Sequence, residues 1–350
     1  MKIKLRLSAL ALFCVIVMTA CGGGGSDDST PIAVTGNYPA FITVGPSGKF
    51  AYVANWGSND ISVYGIDATT GALTAGTAVV SGSKPASIAV DPSGKFAYAA
   101  NWGSNSISVY SINATAGALT AGTTVAAGTN PASVAVDPSG KFVYAANWGS
   151  NSISVYSVNA TTGALTAGTM VAAGTNPASV AVDPSGKFVY AANEGDNIIS
   201  VYAINTTTGA LTAGTAVAAG TNPTSIAVSP SGKFAYVANW GSNTISIYTI
   251  DATTGALAAG TVVAAGINPA SVAVDPSGKF VYAANWGSNS ISVYSVNATT
   301  GALTAGTVVA AGTNPTCITV APSGKFAYVT NESDNSISVY TVNTTTGAIQ

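Results

Sequence analysis

Hydrophobic and small polar residues alternate in short runs along most of the chain, and turns rich in Gly, Pro, Asn and Asp separate the runs. Between residues 131 and 176 the runs are ASVAV, FVYAAN, SISVYSVN and TAGTMVAAG, and the turns between them are DPSGK, WGSN and ATTGAL. β-Branched and aromatic residues at a period of two, bounded by such turns, are typical of β-strands. The pattern predicts four antiparallel strands in this segment and no helical periodicity after residue 20.

The four-strand segment is one copy of a repeat. The motif PSGKF occurs seven times at a constant spacing of 46 residues, beginning at Pro46, Pro92, Pro138, Pro184, Pro230, Pro276 and Pro322. A repeat of this length is typical of propellers and solenoids. Seven copies of four antiparallel strands predict an all-β fold, the seven-bladed β-propeller. Its repeats start at residues 39, 85, 131, 177, 223, 269 and 315.

The repeat also predicts how the ring of blades closes. The last copy stops at Gln350, before its fourth strand, and the ten residues that it lacks match STPIAVTGNY at residues 29–38. We expect this N-terminal segment to pair with the third strand of the last copy, because a closed ring leaves no long unpaired strand edge. Pro31 is compatible with this position because the fourth strand is an outer edge strand.

The first 20 residues predict export. Three basic residues precede an apolar run over residues 7–18, which is too short to span a bilayer. The sequence Met-Thr-Ala-Cys that follows resembles a bacterial lipobox, which makes Cys21 the expected site of lipidation and residues 21–28 a flexible tether. We expect anchoring in the bacterial cell envelope, with the outer membrane favoured because Gly22 is not aspartate. An ordinary secretory signal with a chance cysteine is the alternative.

The amino-acid composition limits the kinds of binding partner that the protein can have. Hydrophobic residues make up 47% of the chain and charged residues only 7%, which favours extensive burial over disorder. There is no histidine, and the single arginine, Arg6, lies in the predicted signal. Because basic patches are absent, we expect no nucleic-acid partner. Cys317 is the only thiol after Cys21, which excludes a disulfide within the domain. We expect a monomer without a cofactor or a resident metal.

Several repeated motifs resemble those of a known family. YVAN at Tyr52 and Tyr236 and YVTN at Tyr328, together with PSGKF, SVY and TGAL, resemble YVTN-type repeats and the seven-bladed propeller lactonase family. The resemblance covers the mature chain. It implies a propeller fold and, as an activity, hydrolysis of a sugar lactone of the 6-phosphogluconolactone kind. Related propeller enzymes rely on histidine and arginine, which the mature chain lacks.

Antiparallel strands sort the turns onto two faces of the predicted propeller. The PSGK and TTGAL turns share a face with seven lysines and six aspartates, whereas the NWGSN and TNP turns share a face with Lys84 and five acidic residues. Every tryptophan lies on the acidic face. The candidate ligand-binding residues there are Trp56, Trp102, Trp148, Trp240, Trp286, Glu194, Asp196, Glu332 and Asp334. We expect each tryptophan to cover a junction between blades, and the alternative is a partial ring of aromatic platforms for a glycan or an envelope protein.

The acidic residues leave two functions open. Carboxylate pairs that act together in catalysis lie roughly 5–10 Å apart. Glu194 and Glu332 belong to repeats four and seven, so we do not expect them to be close enough across the mouth to form such a pair. Glu194 and Asp196 with Asn193 and Asn197 offer oxygen ligands for Ca²⁺, although solvated loop carboxylates are the simpler interpretation. Near-sevenfold symmetry argues against catalysis, which needs different residues at one point. We therefore favour a ligand- or protein-binding scaffold in the envelope, with a lactonase as the alternative.

Overall fold

The computed structural model describes residues 32–350 and confirms the seven-bladed β-propeller. Each blade is an antiparallel sheet, and we name its strands A to D from the axis outward. The predicted signal, the tether and Cys21 lie outside the described residues. Within residues 32–350, no helix has the length and apolar character that crossing a membrane requires.

The strands follow the repeat closely, and strand D is split into two pieces in blades 1, 3 and 4. Blade 1 contains β2 (Pro39–Val44), β3 (Phe50–Asn55), β4 (Asp60–Ile66), β5 (Leu73–Ala75) and β6 (Val79–Val80). Blade 2 contains β7 (Pro85–Val90), β8 (Phe96–Asn101), β9 (Ser106–Ile112) and β10 (Leu119–Ala126). Blade 3 contains β11 (Pro131–Val136), β12 (Phe142–Asn147), β13 (Ser152–Val158), β14 (Leu165–Ala167) and β15 (Val171–Ala172). Blade 4 contains β16 (Pro177–Val182), β17 (Phe188–Asn193), β18 (Ile198–Ile204), β19 (Leu211–Ala213) and β20 (Val217–Ala218).

The remaining blades complete the ring. Blade 5 contains β21 (Pro223–Val228), β22 (Phe234–Asn239), β23 (Thr244–Ile250) and β24 (Leu257–Ala264). Blade 6 contains β25 (Pro269–Val274), β26 (Phe280–Asn285), β27 (Ser290–Val296) and β28 (Leu303–Ala310). Blade 7 contains β29 (Pro315–Val320), β30 (Phe326–Asn331), β31 (Ser336–Thr341) and, as its outer strand, β1 (Ile32–Val34). The A strands of neighbouring blades contact one another around the axis, and β2 contacts β29.

Both ends of the chain build the outer strand of blade 7. β1 pairs antiparallel with β31, so that Ile32 lies opposite Ser338 and Val34 lies opposite Ser336. A bridge between Val342 and Ile349 supplies the other half of this edge. The predicted closure by the N-terminal segment is therefore confirmed for residues 32–34, while residues 29–31 lie outside the described part of the chain.

The hydrophobic core consists of seven clusters, one at each junction between blades. At the junction of blades 3 and 4, Tyr144 Oη donates to the Gly209 carbonyl at 3.0 Å, and Tyr202 Oη donates to the Ala172 carbonyl at 2.9 Å. Burial raises the pKa of Tyr144 well above its usual value, so its phenol stays neutral. Because each sheet is sandwiched between two others, both faces of its strands are apolar.

Candidate functional site at the axial mouth

One face of the propeller carries a ring of equivalent side chains around the axis. They are the residues that directly follow strand B in the seven blades, and we name them the mouth ring: Trp56, Trp102, Trp148, Glu194, Trp240, Trp286 and Glu332. The centroids of neighbouring indoles are 5.2, 5.4 and 5.6 Å apart. For seven equally spaced members, this separation places the ring about 6 Å from the axis. Side chains 46 residues apart in the sequence are therefore neighbours around one axis.

Backbone hydrogen bonds hold each mouth-ring residue between two loops. The Trp148 N–H donates to the carbonyl of Asn130 at 2.9 Å, and Asn176 Nδ2 donates to the carbonyl of Trp148 at 3.1 Å. Asn130 and Asn176 lie in the D–A loops that precede blades 3 and 4, and both have positive φ angles, of 52° and 54°. Asparagine tolerates this left-handed conformation better than most residues. The turn is thus fixed to its own blade and to the next one.

A buried asparagine at the end of strand B supports each turn. Asn147 is fully buried, its Nδ2 donates to Ser154 Oγ at 2.9 Å, and its Oδ1 accepts from the Gly128 N–H at 3.1 Å. Asn151 Oδ1 accepts from the Asn176 N–H at 2.8 Å, which ties the turn to the following loop. These asparagines are structural, because their amides are used within the turn network.

Blades 4 and 7 depart from this network. Asp196 and Asp334 stand where the other blades have serine, and each accepts a hydrogen bond from a backbone N–H of the preceding D–A loop. In these two blades the buried amide oxygens of Asn193 and Asn331 have no hydrogen-bond partner. An unsatisfied buried acceptor costs about 1–3 kcal/mol. The two blades that place a glutamate in the mouth ring therefore also carry a local energetic cost.

Asn197, one of the oxygen ligands considered for Ca²⁺, accepts a hydrogen bond from the Asn222 N–H at 2.7 Å. Within residues 32–350, no group of three or more His, Cys, Asp or Glu side chains is placed to hold a metal ion. Asp196 instead bonds to the backbone of Thr175. We therefore assign Asp196 and Asp334 to loop capping, one step outside the mouth ring.

The two glutamates divide the mouth ring into two poles. The Trp148 Nε1–H donates to Glu194 Oε2 at 3.3 Å, and the Trp286 Nε1–H donates to Glu332 Oε2 at 2.9 Å. On a ring of this radius the two glutamate positions lie about 12 Å apart, too far to act as one carboxylate pair. The Glu194 pole comprises Trp148, Glu194 and Trp240. The Glu332 pole comprises Trp286, Glu332 and Trp56.

The Glu332 pole opens into a cavity of about 390 Å³. Its lining residues are Asn37, Tyr38, Trp286, Asn314, Glu332, Ser333 and Asn335. Ser333 Oγ donates to Asn314 Oδ1 at 2.7 Å, and Asn335 Oδ1 accepts from the Tyr38 N–H at 2.8 Å. The cavity therefore combines one carboxylate, one indole, one phenol and several amides at the point where the two ends of the chain meet.

Tyr38 and Lys84 break the repeat beside this cavity. Both occupy a D–A loop position that is asparagine in the other five blades, and both keep its left-handed backbone, with φ angles of 52° and 54°. Such angles are uncommon for tyrosine and lysine, and backbone strain of this kind tends to cluster at functional sites. Lys84 Nζ lies 5.5 Å from the ring centroid of Trp56. Blades 7, 1 and 2 thus carry successive departures from the repeat.

Seven of the nine candidate residues from the sequence lie in the mouth ring, and two lie outside it. All five tryptophans with Glu194 and Glu332 form the mouth ring, whereas Asp196 and Asp334 cap loops. Trp56 is only 8% exposed and the other indoles are partly buried, so they pack across the blade junctions and still present some surface. The sequence analysis missed Tyr38. Its replacement of the repeated asparagine was the available signal.

Titratable groups elsewhere have structural roles. The seven A–B turn lysines are exposed on the opposite face, which we name the lysine face: Lys49, Lys95, Lys141, Lys187, Lys233, Lys279 and Lys325. Asp137 lies in one of these turns, is buried and accepts from the Phe142 N–H at 2.7 Å. Burial raises the pKa of the Cys317 thiol to about 11, so this thiol stays protonated and is not a nucleophile.

Comparison with known proteins identifies the class of protein. A family model described as lactonase, seven-bladed β-propeller, matches residues 25–131, 77–170, 166–266 and 261–350. Because these matches cover nearly all of the chain, the protein belongs to this family. No curated relative matches the chain.

Solved structures share the fold at low sequence identity. A candidate 6-phosphogluconolactonase from Bacteroides fragilis is 24% identical with a TM-score of 0.77, and the match covers 94% of this chain and 95% of that chain. A candidate 6-phosphogluconolactonase from Bacteroides uniformis is 22% identical with a TM-score of 0.78, covering 88% and 93%. The periplasmic gluconolactonase of Pseudomonas aeruginosa is 19% identical with a TM-score of 0.76, covering 88% and 93%.

These findings correct the function that we favoured from the sequence. The binding-scaffold interpretation was wrong, because the family match and the fold of the similar structures favour the lactonase alternative. The sequence argument relied on near-sevenfold symmetry. That symmetry holds for the strands but fails at the mouth, where Tyr38, Lys84 and Glu332 lie on adjacent blades.

Proposed function

We propose that the protein hydrolyses a sugar lactone in the cavity at the Glu332 pole. The observation that carries the proposal is the position of Glu332. Its carboxylate accepts a hydrogen bond from the Trp286 Nε1–H and lines a cavity of about 390 Å³. This volume lies within the range of small-molecule sites, roughly 300–1,000 Å³. Membership of the lactonase family supports the reaction class.

Glu332 acts as the general base in this proposal. Its carboxylate takes a proton from a water molecule while the water oxygen bonds to the lactone carbonyl carbon, and a tetrahedral oxyanion forms. When the oxyanion collapses, the ring C–O bond breaks and Glu332 returns the proton to the departing ring oxygen. The products are the open-chain hydroxy acid and the free enzyme, so atoms and charge balance.

The other lining residues orient the substrate. The Tyr38 phenol supplies a hydrogen-bond donor for the oxyanion, and the bond from the Tyr38 N–H to Asn335 holds its backbone in place. The Trp286 indole is fixed by its hydrogen bond to Glu332 and offers an apolar surface for the sugar ring. Tyr38 precedes blade 1 and Glu332 lies in the adjacent blade 7, because the ring closes between them.

The charge of the mouth favours an unphosphorylated substrate. Phosphate recognition favours arginine, and residues 32–350 contain none. Lys84 is the only lysine on this face, where Asp60, Glu194, Asp196, Glu332 and Asp334 are acidic. A neutral aldonolactone such as glucono-1,5-lactone therefore suits the site better than its 6-phosphate.

The test compares two matched variants of the full chain. Lactone hydrolysis above the spontaneous rate is followed by acid release with glucono-1,5-lactone and with its 6-phosphate. We expect Glu332→Gln to lower kcat by about 10²–10⁴-fold, the usual contribution of a general base. Glu194→Gln, the equivalent change on the opposite pole, should leave kcat/KM unchanged. No hydrolysis by the wild type, or equal losses in the two variants, would refute the proposal.

We also propose that the exported chain is anchored through a lipid on Cys21, with its mouth facing away from the membrane. The apolar run and the cysteine that follows it support the anchor. β1 runs towards the mouth from Ile32, so the chain enters blade 7 from the side of the lysine face. The segment between Cys21 and Ile32 spans at most about 40 Å when extended. This entry point places the lysine face nearer to the anchor than the mouth.

Mass spectrometry of the native N-terminal peptide tests the anchor. We expect a lipid adduct on Cys21, and Cys21→Ser should release the protein from membranes. A free amine on residue 21, or cleavage elsewhere, would show that the segment is an ordinary secretory signal.

A further inference from the structure

The residue that follows the mouth ring departs from the repeat in blade 7. Six of the B–C turns have glycine at this position, whereas blade 7 has Ser333. The six glycines are Gly57, Gly103, Gly149, Gly195, Gly241 and Gly287. The turn that carries a side chain at this position is therefore the one whose residues line the cavity of the Glu332 pole.

The glycine lets each turn pack closely against the D–A loop that precedes its blade, and we name this contact the seam. In blade 4, a Cβ atom on Gly195 would lie 2.7 Å from Thr175 Cγ2 and 2.9 Å from Asn176 Oδ1. Carbon atoms in favourable contact lie about 3.5–4.0 Å apart, so the seam has no room for this atom. The Gly195 N–H donates to the Thr175 carbonyl at 2.9 Å, and the equivalent bond has the same length in the other five blades with glycine.

Ser333 widens the seam of blade 7. The loop there has the same two residues as in blade 4, with Thr313 and Asn314 in place of Thr175 and Asn176. The bond from the Ser333 N–H to the Thr313 carbonyl is 3.3 Å long, whereas its six equivalents measure 2.9 Å. Since the loops match, the Cβ of Ser333 accounts for the longer bond. The turn and the loop are thus held further apart beside the cavity.

The Ser333 hydroxyl makes the widened seam polar. Ser333 Oγ donates to Asn314 Oδ1 at 2.7 Å, and Asn314 Nδ2 donates to the Trp286 carbonyl at 3.1 Å. These two bonds fix the orientation of the Asn314 amide and use one of its two hydrogens. The second amide hydrogen and the lone pairs of Ser333 Oγ are the groups that this pair offers to a ligand in the cavity, which both residues line.

A sugar hydroxyl matches this pair of groups. A hydroxyl both donates and accepts, so one substrate hydroxyl can donate to Ser333 Oγ and accept from Asn314 Nδ2. A lactone without hydroxyl groups leaves both protein groups unpaired when it displaces water from them, which weakens its binding. The pair therefore discriminates between lactones by their substituents.

We propose that Ser333 is the specificity-determining residue of the lactone cavity and that, with Asn314, it selects lactones that carry free hydroxyl groups. The inference rests on the proposed function for its substrate class, but the selection is a property of binding and is measured without hydrolysis. Three observations carry it: serine replaces glycine at this turn, the bond across the seam is longer there, and both residues line the cavity.

Two lactams test the selection on the full-length protein. Glucono-1,5-lactam keeps the ring and the hydroxyl groups of the lactone, δ-valerolactam keeps the ring alone, and their amide bonds resist hydrolysis. Isothermal titration calorimetry measures both Kd values. We expect gluconolactam to bind at least about tenfold more tightly than δ-valerolactam. A wild type that shows this preference and hydrolyses no lactone would refute the proposed reaction and leave the selection by Ser333 standing.

Three substitutions separate what the Cβ and the hydroxyl of Ser333 contribute. Ser333→Ala keeps the Cβ, so it should weaken gluconolactam binding by about tenfold and leave δ-valerolactam binding unchanged. Ser333→Thr keeps both groups and should retain the wild-type ratio of the two Kd values. Ser333→Gly restores the repeated residue, closes the seam and should weaken the binding of both lactams. Thermal unfolding of each variant checks that the fold is intact.

The ratio of the two Kd values distinguishes selection from a structural role. A merely structural serine would change the binding of both lactams by the same factor in Ser333→Ala. That result, the lack of a preference for gluconolactam in the wild type, or unchanged binding of both lactams in Ser333→Gly would overturn the proposal.

Discussion

The two poles of the mouth ring share the same arrangement of tryptophan, glutamate and buried asparagine, and they differ in the loop residues around it. At each pole an indole N–H donates to a glutamate on the next blade, and the buried asparagine behind the glutamate has an unsatisfied amide oxygen. At the Glu332 pole the adjoining loop contributes Tyr38 and a cavity, whereas at the Glu194 pole the equivalent residue is Asn222. The same repeated turn therefore has different surroundings at the two poles, because the loop on the neighbouring blade differs.

The largest expected effect comes from removing the segment that makes the Glu332 pole different. Deleting residues 29–38 removes β1, Asn37 and Tyr38, exposes β31 as an edge and takes away part of the cavity lining. We expect the Tm to fall by roughly 10 °C or more and lactone hydrolysis to be lost. Differential scanning calorimetry and light scattering measure stability and aggregation. Unchanged melting and solubility would mean that β1 does not close the ring.

The tryptophans of the mouth ring should differ in their contribution to stability. Trp56 is 8% exposed and lies beneath Lys84, so Trp56→Ala should lower the free energy of unfolding by about 3–5 kcal/mol. Trp148 is only partly buried, and Trp148→Ala should lower the free energy of unfolding by only about 1–2 kcal/mol. Urea unfolding of both variants gives the comparison. Equal losses of unfolding free energy in the two variants would show that both indoles act only by packing across the junctions between blades.

Restoring the serine that the other blades carry should remove the energetic cost of the unsatisfied asparagine oxygen at each pole. Asp196→Ser and Asp334→Ser recreate the turn of the other blades, in which a glycine N–H or a hydroxyl satisfies the buried asparagine oxygen. We expect each change to raise the free energy of unfolding by about 1 kcal/mol. Urea unfolding measures the gain. A loss of stability in both variants would mean that the aspartates compensate for the unsatisfied amides.

The smallest effect on stability is expected from Lys84→Asn. Asparagine is the repeated residue at this left-handed position, so the free energy of unfolding should change by no more than about 1 kcal/mol. The change also removes the cation above Trp56. Urea unfolding measures the change in stability. A larger loss would show that the contact between Lys84 and Trp56 stabilises the fold.

The candidate site was only partly predictable from the sequence. Glu332 and Trp286 were identified because they are chemically distinctive members of a repeated turn. Tyr38 was missed because it lies near the N-terminus and nearly 300 residues from Asn335, the residue that accepts from its N–H group. Asp196 and Asp334 looked like ligands because the sequence does not show that their carboxylates bond to backbone N–H groups.

The sequence by itself determined the number of blades, the order of strands and the closure of the ring. These properties follow from a local period of two, repeated turn residues and a 46-residue spacing, all of which are readable along one dimension. Only the tertiary structure decided that the side chains directly after strand B come together around the axis, with neighbouring indole centroids 5.2–5.6 Å apart. A periodic pattern specifies which face of a strand or turn a residue occupies, but the distance from the axis depends on how seven sheets pack together. That distance turns five separate tryptophans and two glutamates into one mouth with two poles.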